Sequence, residues 1–211
     1  MRTVRTPLEG LLALFDQINY TDTKLKDLEA HGDTFEEIQF LACTFSVCNL
    51  SECSFNRCRF DRCSFTGCDL SLAKVPLTQF ASVVFKDCRL MGINWCDADW
   101  ESQSLLSLKH VDFEGCLLDH SVFIGLDLAE TCFRNCKARH LDFEGAYLSR
   151  TDFTGADLEM TRFVRCDLTE ANFVRSENYQ INAAENTLHK TRFSLPEAIA
   201  LLHSLDIVLE D

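Results

Sequence analysis

The sequence predicts an all-β solenoid, and three observations carry that expectation. Large apolar residues recur at every fifth position. Small residues sit two places before them. Seven of the eight glycines (Gly32, Gly67, Gly92, Gly115, Gly125, Gly145, Gly155) fall two places after a position of this series. A period of five is neither the 3.6 of an amphipathic helix nor the 2 of a half-buried strand. Self-similarity at a short fixed period marks stacked units, each of which buries its apolar side chain against its neighbours.

The repeat is clearest from Ile38 to Leu70. Its centres are Phe40, Phe45, Leu50, Phe55, Phe60, Phe65 and Leu70. Two residues before them stand Ile38, Cys43, Cys48, Cys53, Cys58, Cys63 and Cys68. This register extends upstream through Phe35 and faintly to Leu25 and Tyr20, and downstream through Val75, Phe80, Phe85, Leu90, Trp95 and Trp100. A second register, displaced by three residues, runs from Leu108 through Phe113, Leu118, Phe123, Leu128, Phe133, Ala138, Phe143, Leu148, Phe153, Leu158, Phe163 and Leu168 to Phe173. It fades through Asn178, Ala183, Leu188 and Phe193. Glycine suits a corner that needs positive φ. Each unit therefore reads as a short extended side followed by a corner. The centre and the residue two before it point inward, and the other three positions face water. Most of the 17 phenylalanines are centres, and burying each contributes about 1.5–3 kcal/mol.

Twelve cysteines raise the question of disulfides or metal. All but Cys96 and Cys132 occupy the small inward position, where Ala, Thr and Val also occur. That position asks for volume rather than thiol chemistry. No C-x-x-C pair with zinc spacing is present. Cys96 and Cys132 read as bystanders, and buried free thiols suit a reducing cytoplasm.

The ends and the interruption differ in character. Residues 1–34 read as an N-terminal cap with the first irregular repeats, including a short helix over Pro7–Gln17. The apolar run before Asp16 is too short for a membrane helix or a signal peptide. Residues 35–193 form the repeat region. Pro76 falls just after a centre, where a corner accepts it, and Trp95 and Trp100 suggest local widening. Residues 101–110 break the period, either as a tolerated insertion or as a contact loop on a rigid scaffold. Residues 194–211 read as a C-terminal helix and tail, with Ser194 capping and Pro196 early in the helix. Leu195, Ile199, Leu201, Leu202 and Leu205, followed by Ile207, give more apolar surface than one coil end needs. A two-fold homodimer through Leu195, Ile199, Leu202, Leu205 and Ile207 is therefore expected.

Catalytic chemistry has no visible carrier. The six histidines lack a nucleophile at a telling spacing, and there is no phosphate-binding glycine motif. The expectation is a non-enzymatic protein with no catalytic residue, metal or cofactor. Charge is more informative. The formal net charge is −13, which disfavours direct nucleic-acid binding. From Asn94 to Glu130, the acids Asp97, Asp99, Glu101, Asp112, Glu114, Asp119, Asp127 and Glu130 stand against the single base Lys109. Such a stretch is drawn to a basic partner surface, including one that normally holds DNA, although an acidic surface also simply keeps a repeat protein soluble.

Units such as GADLE (155–159), RCDLT (165–169) and EANFV (170–174) resemble the pentapeptide-repeat family. The resemblance spans roughly Phe35 to Phe193. It implies a right-handed quadrilateral β-helix with four units to a coil. That gives about eight coils and a shaft about 40 Å long. Asp69–Leu72 (DLSL), Val84–Trp95 (VFKDCRLMGINW) and Arg192–Ile207 (RFSLPEAIALLHSLDI) are similar to one branch of the family. That branch contains the albicidin-resistance pentapeptide protein and the Qnr quinolone-resistance proteins. It implies a DNA-mimicking homodimer, joined by the C-terminal helix, that binds DNA gyrase or topoisomerase IV and protects it from inhibitors. The alternative is a scaffold of the same fold with another protein partner. Some Qnr proteins carry two long projecting loops; this chain has only the short irregularity at 101–110.

Overall fold

Five residues make one side, and four sides make one coil. In the unit around Phe45, Cys43 and Phe45 are buried, Thr44 and Ser46 look outward, and Val47 turns the corner with φ of 54°. After four such units the chain lies directly above its starting point. Phe35 therefore pairs in parallel with Phe55, Phe40 with Phe60, and Phe45 with Phe65. The computed structural model describes residues 2–4, 19–100 and 111–203. The expected helix over Pro7–Gln17, the 101–110 segment, Glu101, Leu205, Ile207 and the acidic tail lie outside them.

The result is a right-handed four-sided parallel β-helix. On its first side the centres stack in the order Leu25, Phe45, Phe65, Phe85, Phe113, Phe133, Phe153, Phe173 and Phe193, which spans eight turns. Strand Arg2–Val4 adds one more layer beside Thr23–Lys26. Every expected aromatic centre among Phe40, Phe45, Phe55, Phe60, Phe65, Phe113, Phe123, Phe133, Phe143, Phe153 and Phe163 is buried. Rings stack within a column, as Phe45 does on Phe65 with centroids 4.4 Å apart. Columns on opposite sides meet edge to face across the core, as Phe133 and Phe143 do at 5.6 Å. Both geometries are favoured by the ring quadrupole.

Corners are not reserved for glycine. Residues two after a centre adopt positive φ whatever their side chain, among them Arg57, Leu72, Glu130 and Met160. The corner amide repays this by pairing with the next coil: Ala42 N–H donates to the Asp61 carbonyl at 2.8 Å, and Arg150 N–H to the Thr169 carbonyl at 2.8 Å. Glycine at a corner leaves room for the side chain of the coil below. At Gly92 a Cβ would lie 2.7 Å from Leu72 Cδ2.

The interruption is eight residues long. Below it partners are 20 apart; across it Val83 pairs with Val111 and Phe85 with Phe113, 28 apart. Eight residues shift a five-residue period by three, which is the displacement visible in the sequence. Stacking resumes at once: Leu90 N–H donates to the Leu117 carbonyl and Trp95 N–H to the Val122 carbonyl. Trp95 opens a short 3-10 turn over Trp95–Asp97, capped by the Asn94 side chain, which accepts from Cys96 N–H. Its ring still stacks on Phe123 of the next coil. Trp100 is half-buried, and its Nε1–H donates to the Trp95 carbonyl at 2.8 Å.

Two expectations need correction near the C-terminal end. Asn178 and Ala183 do not fill the core; Tyr179 and Ile181 do. The reason is a slip of two residues, because Phe163 pairs with Ile181, 18 residues on, while Asp157 and Asp167 keep partners at 20. Ser194 does not cap the terminal helix through its side chain. Its hydroxyl accepts from Arg175 N–H at 2.9 Å, and the 3-10 turn Glu197–Ile199 starts from Pro196 without a side-chain cap. The α-helix Ala200–His203 follows.

Candidate interaction surfaces

With the core filled, function must reside on the outward positions, the corners and the ends. The inward small position has a second duty that sequence reasoning missed. Its Oγ–H or Sγ–H donates to the carbonyl of a centre residue one coil earlier. Thr151 Oγ1 reaches the Leu128 carbonyl at 3.0 Å, Ser121 Oγ the Leu90 carbonyl at 2.8 Å, and Cys53 Sγ the Ala30 carbonyl at 2.8 Å. Ser, Thr and Cys recur there because each combines small volume with a donor. The thiols of Cys53 and Cys166 are structural. Burial pushes Cys53 up to about 12 and Cys166 up to about 11, well away from the reactive thiolate range. Replacing Thr151 by valine keeps the shape and removes the donor. It is expected to cost about 1 kcal/mol, read from urea unfolding followed by circular dichroism.

The two exceptional cysteines stand outside this ladder. Cys96 is exposed, with Sγ 3.4 Å from the Ile124 carbonyl. Cys132 is buried at an outward strand position beside Arg134, whose Nε–H lies 3.1 Å from its Sγ.

The acids between 97 and 130 form a girdle over two coils rather than one patch. Asp112 and Glu114 lie on the first side, in strand Val111–Glu114. Asp119 follows Leu118 on the second side, and Asp97 lies at the corner that ends the third. Asp99, Asp127 and Glu130 belong to the fourth side and its corner. Several are already engaged. Glu114 pairs with Lys86, Asp119 with Arg139, and Glu130 with Arg150, each across adjacent coils. Asp112 accepts from Cys132 N–H at 3.0 Å, and Asp99 from the Gln79 amide at 2.9 Å.

Asp119 is the most enclosed of them, at 8% exposure. Burial pushes its carboxyl up, but hydrogen bonds from the Arg139 guanidinium and backbone N–H outweigh burial and hold it below the ordinary range. A depressed pKa contributes stability that is fully present above the unfolded value, about 3.9, and is lost as pH falls through the folded value. Asp119→Asn is accordingly expected to lower the urea midpoint at pH 7. The gap from the parent protein should close as the pH is taken down through the acid range.

The C-terminal end carries the largest exposed apolar side chains of the terminal turn, with Leu195 at 80%, Ile199 at 42% and Leu202 at 37%. Beside them is a cleft of about 700 Å³, opened by the two-residue slip. No group of three or more His, Cys, Asp or Glu among the described residues is arranged to hold a metal ion. No helix among them is long and apolar enough to cross a membrane.

The family model for the pentapeptide repeat region matches residues 38–123 and 106–173. The chain belongs to the pentapeptide-repeat family. Among solved structures, full-length QnrB1, a plasmid-mediated fluoroquinolone resistance protein, is 16% identical to this repeat protein. The match covers 90% of each chain with a TM-score of 0.62. Two trypsin-treated variants of QnrB1 match over 100% of this chain. One is 16% identical, with 97% of its chain covered and a TM-score of 0.58. The other is 15% identical, with 95% covered and a TM-score of 0.54. These likenesses establish the shared fold. No curated protein sequence matches this repeat protein.

Proposed function

We propose that this protein binds a type II topoisomerase, either DNA gyrase or topoisomerase IV, and protects it from inhibitors. It does so as a homodimer and without direct contact to nucleic acid. The observation that carries the reading is the match of nearly the whole shaft to a fluoroquinolone resistance protein, over 90% of both chains. The resemblance of residues 192–207 to the topoisomerase-protecting branch points the same way. The net charge of −13 on a narrow rigid shaft suits a basic DNA-binding saddle. The exposed Leu195, Ile199 and Leu202 support a dimer through the C-terminal end, extended by Leu205 and Ile207. The free thiols suit a reducing compartment such as the cytoplasm.

The test is a gyrase supercoiling assay with purified protein, with and without ciprofloxacin or albicidin. Restored supercoiling in the presence of drug is the expected result. Charge reversal then tests DNA mimicry one side at a time. Asp112→Lys with Glu114→Lys alters the first side, and Asp99→Lys with Asp127→Lys alters the fourth. A DNA mimic loses gyrase binding in at least one pair while keeping its circular dichroism spectrum. Unchanged binding in both removes the mimicry. Sedimentation as a pure monomer at micromolar concentration removes the dimer.

A second reading, a scaffold for a different protein partner, is favoured by one observation. The acids of the girdle look toward four sides, and Glu114, Asp119 and Glu130 already hold cations. On that reading the protein neither protects nor inhibits gyrase at any concentration.

A further inference from the structure

The inward cysteines gather into columns. Coils repeat every 20 residues, or 28 across the interruption, so Cys48, Cys68, Cys88, Cys116 and Cys136 stand one above another on the second side. Each thiol meets the next. Side-chain hydrogen bonding links Cys48 to Cys68, Cys68 to Cys88, Cys88 to Cys116 and Cys116 to Cys136. Cys43 and Cys63 form a column of two on the first side, joined in the same way. All seven are free and buried. Small volume and a donor do not require cysteine on successive coils. Ala156 continues the long column and Val83 the short one, while Ser121 and Thr151 fill the same position elsewhere.

Stacked thiols fit one class of ligand. Thiolate is a soft ligand and selects soft ions such as copper(I). A d10 ion of that kind is satisfied by two sulfurs in line. With about 2.3 Å for each metal–sulfur bond, the length found for zinc, a linear unit spans about 4.6 Å. Adjacent coils are about 4.8 Å apart, so an ion fits between two thiols without backbone movement. Ions that want three or more ligands find no such group among the described residues. Entry sends one thiol proton to solvent. The remaining thiolate and thiol hold the ion as a unit with no net charge, which avoids the cost of burying one. In the short column the hydrogen bond from Cys63 holds Cys43 below the ordinary thiol range, and Cys43 pushes Cys63 up, so the first proton leaves more readily than the second. In the long column the next thiol and burial push Cys88 and Cys116 up to about 12. They stay protonated until a metal ion competes for the sulfur.

We propose that the two thiol columns bind soft monovalent metal ions, copper(I) or silver(I), each ion bridging cysteines of adjacent coils. Two separate pairs in the long column and one in the short column set the capacity at about three ions per chain. This site is independent of the topoisomerase reading and stands or falls separately from it.

The experiment is an anaerobic titration of the folded full chain with copper(I) and, in parallel, silver(I). The chain carries Cys96→Ser, which removes the exposed thiol. Native mass spectrometry counts the ions, and the thermal midpoint reports the bridging. About three ions are expected, with a raised midpoint. Cys68→Ser with Cys116→Ser leaves Cys48, Cys88 and Cys136 two coils apart. This variant should bind about one ion, held by Cys43 and Cys63. Cys53→Ser with Cys166→Ser removes as many thiols, but neither of these has a cysteine directly above or below it. It should still bind about three. Ser121 shows that serine is accommodated at the inward position, and circular dichroism checks that both variants fold. The proposal is overturned if the folded chain takes up neither ion, if zinc binds in equal number, or if the two double variants lose the same number of ions.

Discussion

Replacing Phe133 by alanine is expected to cost about 3–5 kcal/mol of stability. Phe133 is fully buried in the second half of the shaft, one coil in from its start. It stacks on Phe113 at 5.0 Å and Phe153 at 5.2 Å, and meets Phe123 and Phe143 edge to face at 5.7 and 5.6 Å. Truncation removes contacts with two coils and two columns at once. The backbone cannot collapse into the space, because the ladder on either side fixes the spacing between coils. Phe193, half-buried with ring contacts to Phe173 and Tyr179, provides the comparison. Its replacement by alanine should cost markedly less. Urea unfolding of both variants checks the order. Because stacked repeats can unravel in parts, hydrogen exchange should also show protection lost first in the coils flanking residue 133.

Trp95→Ala is expected to have an effect of similar size, about 3–5 kcal/mol, and to act at a more sensitive place. Trp95 sits where the two registers join. Its ring touches Phe80 and Phe85 on the N-terminal part and Phe113 and Phe123 on the C-terminal part. The eight extra residues weaken the covalent tie between the parts, so side-chain packing there carries more of the coupling. Trp95→Phe is the informative companion. The indole Nε1–H is buried without a partner, and phenylalanine removes that unsatisfied donor while continuing the column. Its cost should stay below about 1.5 kcal/mol, as for other swaps that largely keep the apolar volume. Alanine is also expected to separate the unfolding of the two parts into two transitions, seen by denaturation, whereas phenylalanine leaves one.

The spacing of phenylalanine and leucine made the inside of this fold legible, because a core one side chain wide repeats its demand at every unit. Other features were hidden for physical reasons. A shift of three residues is the remainder left by an eight-residue insertion, and periodicity alone cannot tell three from eight. The slip near Tyr179 was obscured because Asn178 and Ala183 keep the numerical phase while the chain abandons it. The acids from Asp97 to Glu130 look like one patch along the sequence, yet a chain that turns every five residues scatters them over four sides. Their cation partners stand 20 or 28 residues away, beyond any local pattern. The cysteine positions were legible as a volume requirement, but the shared donor of Cys, Ser and Thr becomes visible only when the carbonyl one coil earlier is in view.

The parallel register also makes the shaft a ruler. Each set of 20 residues advances every outward column by one strand spacing, about 4.8 Å, and returns it to the same side of the shaft. Removing residues 131–150 would therefore draw the C-terminal cleft one graduation closer to the girdle and leave both facing the same compass points. Removing a single pentapeptide would instead turn everything beyond it by a quarter circle. Distance along the axis and direction around it are thus separate dials, set by whole coils and by single units.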